Sequence, residues 1–267
     1  MLAKLIKHEF KATARIFLPI LGTVLVLTGA AALTVKLGGI LVLPGGTGWG
    51  GPVLGLASGL LCLLTFIAMM AMMTAAVVVT IQRFYKNLLG EEGYLSMTLP
   101  VRPWQHILCK SLTSLVWYIF SSIAAILAFV ILAYEKGMLG DFFKAIVTLI
   151  RRGSLNAQIL TACGEFFLFA ALGILAFTMM LYASMALGQL SANKRLLTSF
   201  GAFLALNFLV QILMGVLGNL AVQWVFPMSS RWALNVALLL SIVVELFFLA
   251  GFFAITNYIL SRKLNLE

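Results

Sequence analysis

Six stretches of this 267-residue chain run for twenty or more residues with at most one charge, at about 16–35, 53–81, 111–134, 159–187, 196–223 and 233–260. A helix rises 1.5 Å per residue, so roughly 20 apolar residues cross the ~30 Å hydrocarbon layer of a bilayer. The runs take up nearly the whole sequence, and only 10% of residues are charged where soluble chains carry roughly 25%. The expected fold is therefore all-α: a polytopic membrane protein with six transmembrane helices, forming a single transmembrane domain over 1–267. No length is left for a folded soluble domain.

The net charge of +10 does not point to nucleic acid, because Lys and Arg are dispersed between apolar runs and form no basic face with interleaved aromatics. They report topology instead. In the six-span arrangement, twelve Lys and Arg lie on the side of the amino terminus and six on the other, so the positive-inside rule puts both termini in the cytoplasm. Cys62, Cys109 and Cys163 fall in or beside spans, without metal-ligand spacing or a disulfide framework, and read as structural thiols. The uncharged run 16–35 is longer than a usual signal core, so it is expected to stay as the first span.

Ahead of that span, Leu2, Leu5, Ile6 and Phe10 recur at helical spacing, and Lys4, Lys7, His8, Lys11 and Arg15 fill the opposite face. Residues 1–15 are thus expected to form an interfacial elbow helix, apolar face in the headgroup boundary and cations on anionic membrane lipids. Gly55 and Gly59 sit four apart as a close-packing face, and the cluster Met69, Met70, Met72 and Met73 suits adaptable packing. Asp141 can cap a short surface helix reaching Arg152, while Gly215 and Gly218 are expected to open a re-entrant turn in span five.

The region 82–110 between spans two and three is the most worked of the loops. Span two continues past Arg83 and Lys86 and stops near Gly90. Glu91 and Glu92 suit the first turn of a new short helix, which Pro100 ends, and Pro103 suits the first turn of the next. The run Glu91-Glu92-Gly93-Tyr94-Leu95-Ser96-Met97-Thr98-Leu99-Pro100-Val101, followed by Trp104-Gln105-x-Ile107-Leu108-x-Lys110, resembles the cytoplasmic coupling helix of the membrane subunits of type-two ABC transporters. Those are six-span bacterial permeases that begin with an amphipathic elbow.

The resemblance implies a transmembrane permease subunit of an ATP-driven exporter in the bacterial cell membrane. Glu91, Glu92, Gly93, Tyr94, Leu95, Thr98, Leu99 and Pro100 would then form the surface that docks on an ABC ATPase subunit, present in two copies. It also implies a second permease subunit, identical or homologous. The chain has no Gly-x4-Gly-Lys-Ser/Thr cradle, so it is not itself an enzyme in this reading, and ATP and Mg would sit on the partner ATPase.

Catalysis in the membrane finds little support. His8 and His106 form no His-Glu-x-x-His pair, Ser58 has no histidine in any span to activate it, and position 96 after Glu91-Glu92 is a serine where a diglutamate protease needs arginine. A nucleotide-independent secondary transporter or channel is the alternative, and would use polar residues near the midplane. Glu165 and Glu245 are the candidates for such a pathway. Each either hydrogen-bonds a neighbour such as Asn207 or Gln211 and fixes helix register, or faces a water-filled cavity and attracts cationic or amphipathic cargo.

Overall fold

The computed structural model describes residues 2–41, 50–90, 93, 101–133, 140, 141, 144, 147, 148, 157–191, 194–225 and 233–262. They form six long helices: α1 (Leu2–Leu41), α2 (Gly50–Phe84), α3 (Pro103–Leu132), α4 (Ala157–Gly188), α5 (Arg195–Val225) and α6 (Ala233–Arg262). A single π-helical turn, Tyr85–Leu89, follows α2. Each of the six is long and apolar enough to cross a membrane, and each overlaps one expected run. The chain is a multispan, all-helical membrane protein.

Two expectations about helix breaks change. α1 is one uninterrupted helix of 40 residues, so no break divides an elbow from the first span. At roughly 60 Å it is about twice the hydrocarbon thickness. Lys4, Lys7, His8, Lys11 and Arg15 are exposed as their face requires, but Phe10 turns onto α3 and not toward headgroups. Gly215 and Gly218 do not open a turn either, since α5 is continuous through both. In hydrocarbon no water competes for the backbone, so a glycine that would weaken a helix in solution is tolerated. Gly55 and Gly59 are exposed, and among the described residues nothing stands within 4 Å of where their Cβ atoms would be. The surface helix expected after Asp141 lies largely outside the described residues. Asp141 itself is exposed and meets Lys144 at 3.5 Å.

The contacts divide the chain into two compact units. One comprises Lys7–Val79 and Val116–Ala145. Its centre is Trp117 of α3, only 3% exposed, whose ring stacks between Phe10 at 5.0 Å and Phe17 at 4.7 Å. The indole Nε1–H donates to Thr13 Oγ1 at 2.8 Å. Positions 10, 13 and 17 share one face of a helix, which is why three α1 side chains reach one indole. Ala76 and Val79 of α2 close this layer. A second layer joins Val24, Met72, Ala124 and Ala128, with Met69 and Met73 packed against it. Three of the four clustered methionines are thus packing residues, and Met70 is exposed.

The other unit comprises Met1–Ile6, Thr80–Leu115 and Ile146–Glu267, and so holds α4, α5, α6 and the chain on both sides of the 91–101 segment. Its core is the last part of α4, where every residue from Thr178 to Ala186 is buried. A helix buried on all sides is a core element, here gripped by its own unit. The connection from α4 to α5 is tight: a Cβ at Gly188 would collide with Ser199 Oγ and stand 2.8 Å from Arg195 O. Only glycine permits that approach.

Candidate functional site

Two arrangements in the second unit bear on function: the seam between α4 and α6, and the footing of the 91–101 segment. On the seam, the Asn235 Nδ2 amide of α6 donates to Glu165 Oε2 at 3.1 Å and to Thr161 Oγ1 at 3.0 Å on α4. Further along, Glu245 of α6 lies over Gly173 of α4, where a Cβ would come within 2.9 Å of Glu245 Oε1. Sequence numbers rise together on both helices, so α4 and α6 run parallel. The two contacts are about 12–15 Å apart along the seam by helical rise.

The two acids expected to mark a pathway therefore share one helix pair but have different surroundings. Glu165 is half-buried and held by an amide, which is the register-fixing arrangement, although its partner is Asn235 and not Asn207 or Gln211. Those two bond each other within α5. Glu245 is 9% exposed, and its Oε2 meets no hydrogen-bond partner among the described residues. A buried carboxyl oxygen without a partner is rare enough to require a reason.

Beside the Asn235–Glu165 contact is a cavity of about 510 Å³ at the amino-terminal ends of α4 and α6. Its walls include Ile159, Phe166, Phe167 and Leu238, with Asn235 as the polar group and the Cys163 thiol at its edge. The lining is apolar apart from Asn235, whose amide N–H groups are already given to Thr161 and Glu165.

Most of the expected docking surface lies outside the described residues: Glu91, Glu92, Tyr94, Leu95, Thr98, Leu99 and Pro100. Gly93 is described, buried, and its N–H donates to Gly90 O at 2.8 Å. α2 ends in the π turn, closed by Gly90 N–H donating to Tyr85 O at 2.8 Å, with Leu88 and Leu89 buried. α3 begins at Pro103, as its fixed φ favours, and His106, Ile107, Cys109, Lys110 and Ser111 are all buried within its first turns.

Both feet fasten to α4. The Phe84 ring of α2 stacks on Tyr182 of α4 with centroids 4.0 Å apart and planes 10° from parallel. Thr80 Oγ1 donates to Ser114 Oγ at 3.3 Å, and Ser114 Oγ lies 3.4 Å from Tyr182 Oη. Three helices are thereby tied at one tyrosine. Sequence reasoning missed Tyr182, Ser114 and Asn235, because a single hydroxyl or amide inside an apolar run carries no sign of what it faces. Among the described residues, no group of three His, Cys, Asp or Glu is placed to hold a metal. No family model, curated protein or solved structure matches this chain.

Proposed function

We propose that this chain is the permease subunit of an ATP-driven ABC exporter, seated in the bacterial cell membrane with both termini in the cytoplasm. The observation that carries the reading is the footing of the 91–101 segment. The two helix ends that flank it are buried and locked, through Phe84 and Ser114, onto Tyr182 of α4. α4 is also one wall of the α4–α6 seam. A push on Glu91, Glu92, Gly93, Tyr94, Leu95, Thr98, Leu99 and Pro100 moves the feet, the feet move α4, and α4 widens or closes the seam beside Glu245. Stiff, interlocked packing transmits such a displacement because cores are not freely compressible. In this reading two ATPase subunits hold ATP and Mg and supply the push, and a second permease copy, identical or homologous, completes the path.

The test is capture of a nucleotide-hydrolysing subunit by the tagged chain from its native membrane. Glu92→Lys is expected to abolish that capture, or to leave ATP hydrolysis running without transport, while the amount of protein in the membrane stays the same. Unchanged capture and coupling in the variant refute docking through this segment. One observation favours a second reading, a nucleotide-independent transporter: the buried Glu245 carboxyl oxygen without a partner, on a seam between spans, is what such a protein uses for its coupling ion or cargo. Transport by the purified chain alone in vesicles, with no ATPase added, decides for it.

A further inference from the structure

The last turn before the 91–101 segment is wound more widely than the rest of α2. Gly90 N–H donates to Tyr85 O at 2.8 Å, five residues back, where an α-helix would return to Lys86. The consequence is angular. In a turn of roughly 4.4 residues each position advances about 82°, so with Phe84 at zero, Leu88 falls at about −30° and Leu89 at about +50°. Both leucines therefore share the face of Phe84, and all three side chains are buried. Continued as an α-helix at about 100° per residue, the same sequence would keep Leu88 at about +40° and carry Leu89 to about +140°, away from the core.

Burial of the two leucines does not by itself require the wide turn. Were Asn87 absent, an ordinary α-helix would set Leu88 at about −60° and Leu89 at about +40°, again on either side of Phe84. The chain thus carries one residue more than this packing uses, and holds it as a π turn where α2 gives way to the 91–101 segment. Over the same residues, a π turn and an α turn differ chiefly in Leu89. Leu88 stays within about 40° of the Phe84 direction in both, and only Leu89 leaves the core.

We propose that Tyr85–Leu89 is a two-register element, which interconverts between the π turn and an α turn, with Leu89 buried in the first and released in the second. Phe84 is the pivot, since its ring is stacked on Tyr182 of α4 at 4.0 Å. Over five residues the two windings differ by about 90°, so the chain leaves Gly90 in a different direction in each. Packed elements respond to load through discrete alternatives of this kind. A twist applied beyond Gly90 is then taken up by the movement of one leucine, while a push along α2 still reaches Tyr182 through Phe84. That use rests on the proposed docking of an ATPase at 91–101; the two registers do not.

The experiment places Leu88→Cys and Leu89→Cys singly in the otherwise native chain. Each is labelled in native membranes by a membrane-permeant maleimide, and the label at that residue is read by peptide mass spectrometry. Opening of the whole footing exposes both positions together, whereas the α register exposes 89 alone. Leu89→Cys is expected to react several-fold faster than Leu88→Cys. Deletion of Asn87, which removes the stored residue, is expected to bring the two rates together at no loss of melting temperature. Equal rates in the undeleted chain overturn the proposal. A difference that survives the deletion overturns it too, and then reflects only the static exposures of 5% and 0%. Deletion of Lys86 is equivalent by winding and serves if the first deletion does not accumulate; failure of both shows that the packing does need the extra residue, and refutes the two registers. Loss of ATPase capture leaves every one of these rates unchanged, so the two hypotheses fail separately.

Discussion

Tyr182 is where the footing of the 91–101 segment can be broken with the least change elsewhere. Its side chain is 1% exposed and stacked on Phe84, which is 0% exposed. Truncating a core aromatic to alanine costs about 3–5 kcal/mol in a soluble protein. In a membrane, part of that figure disappears, because apolar side chains gain little by leaving lipid for protein, so the loss reduces to packing and to a stack of ~0.5–1.5 kcal/mol. A loss of about 2 kcal/mol corresponds to roughly thirtyfold in the population of the opened state. Tyr182→Phe keeps the stack and removes the hydroxyl, which lies 3.4 Å from Ser114 Oγ. That long contact is worth about 0.5 kcal/mol, or roughly twofold. Cys109, 0% exposed near the start of α3 in the same unit, supplies the assay. With Cys62 and Cys163 changed to serine, its labelling by a thiol-reactive fluorophore reports opening of the footing. Tyr182→Ala and Phe84→Ala are expected to accelerate labelling by the same large factor, their double variant by little more, and Tyr182→Phe to stay near the unaltered rate. If both alanine variants react as slowly as the parent, the tie between the feet and α4 does not exist. A phenylalanine variant as fast as alanine instead moves the energy from the stack to the hydroxyl.

Two predictions concern the α4–α6 seam. Gly173→Ala would put a methyl 2.9 Å from Glu245 Oε1, the far end of a flexible side chain that can shift, and is expected to lower stability by less than about 1 kcal/mol, read as a small fall in melting temperature in detergent. Adding Glu245→Ala is expected to recover it, and a large fall that Glu245→Ala does not recover refutes the contact as its cause. Glu245→Gln preserves shape and removes the acid. It is expected to leave melting unaltered and to reduce both transport and cargo-stimulated ATP hydrolysis in the assembled exporter, and full retention of both shows that the carboxyl does not serve cargo.

The six crossings were legible because length and absence of charge are properties of the chain in one dimension. The stop at Gly90 after the π turn and the start of α3 at Pro103 were legible from local signals, although only proline acts here through its fixed φ, since Gly90 sits at φ −97° and ψ −165°. What faces what was not. In water, an apolar stripe marks the buried side of a helix, but in lipid both sides are apolar and the 3.6-residue rhythm loses its meaning. The segment Thr178–Ala186 of α4, buried all round, and the exposed run of α5 read alike as sequence. The acid at 165 was visible as an anomaly, with a hydrogen bond to a neighbouring Ser, Thr, Asn or Gln as one of its two readings. The choice among Asn207, Gln211 and Asn235 required knowing that α4 runs beside α6.

Polar side chains are what distinguish one helix face from another once hydrophobicity no longer can, and their distribution here separates three kinds of surface. At Trp117–Thr13 and at Asn235–Glu165, donor and acceptor meet across helices of one unit, and such pairs fix register. At Glu245 one carboxyl oxygen is enclosed and meets no partner among the described residues. On α5 Gln211 bonds Asn207 and Asn219 bonds the Gly215 carbonyl, and both amides still have unused capacity. Hydrocarbon offers no hydrogen bond to either of the last two, so each costs free energy that only another polar group or water relieves. Replacing Gln211 and Asn219 by leucine is expected to leave transport unchanged, because those side chains lie on α5 and not on the α4–α6 seam, whereas replacing Glu245 by glutamine is expected to reduce it. Were the two replacements to produce the same transport defect, the α5 amides and the seam would be parts of one surface.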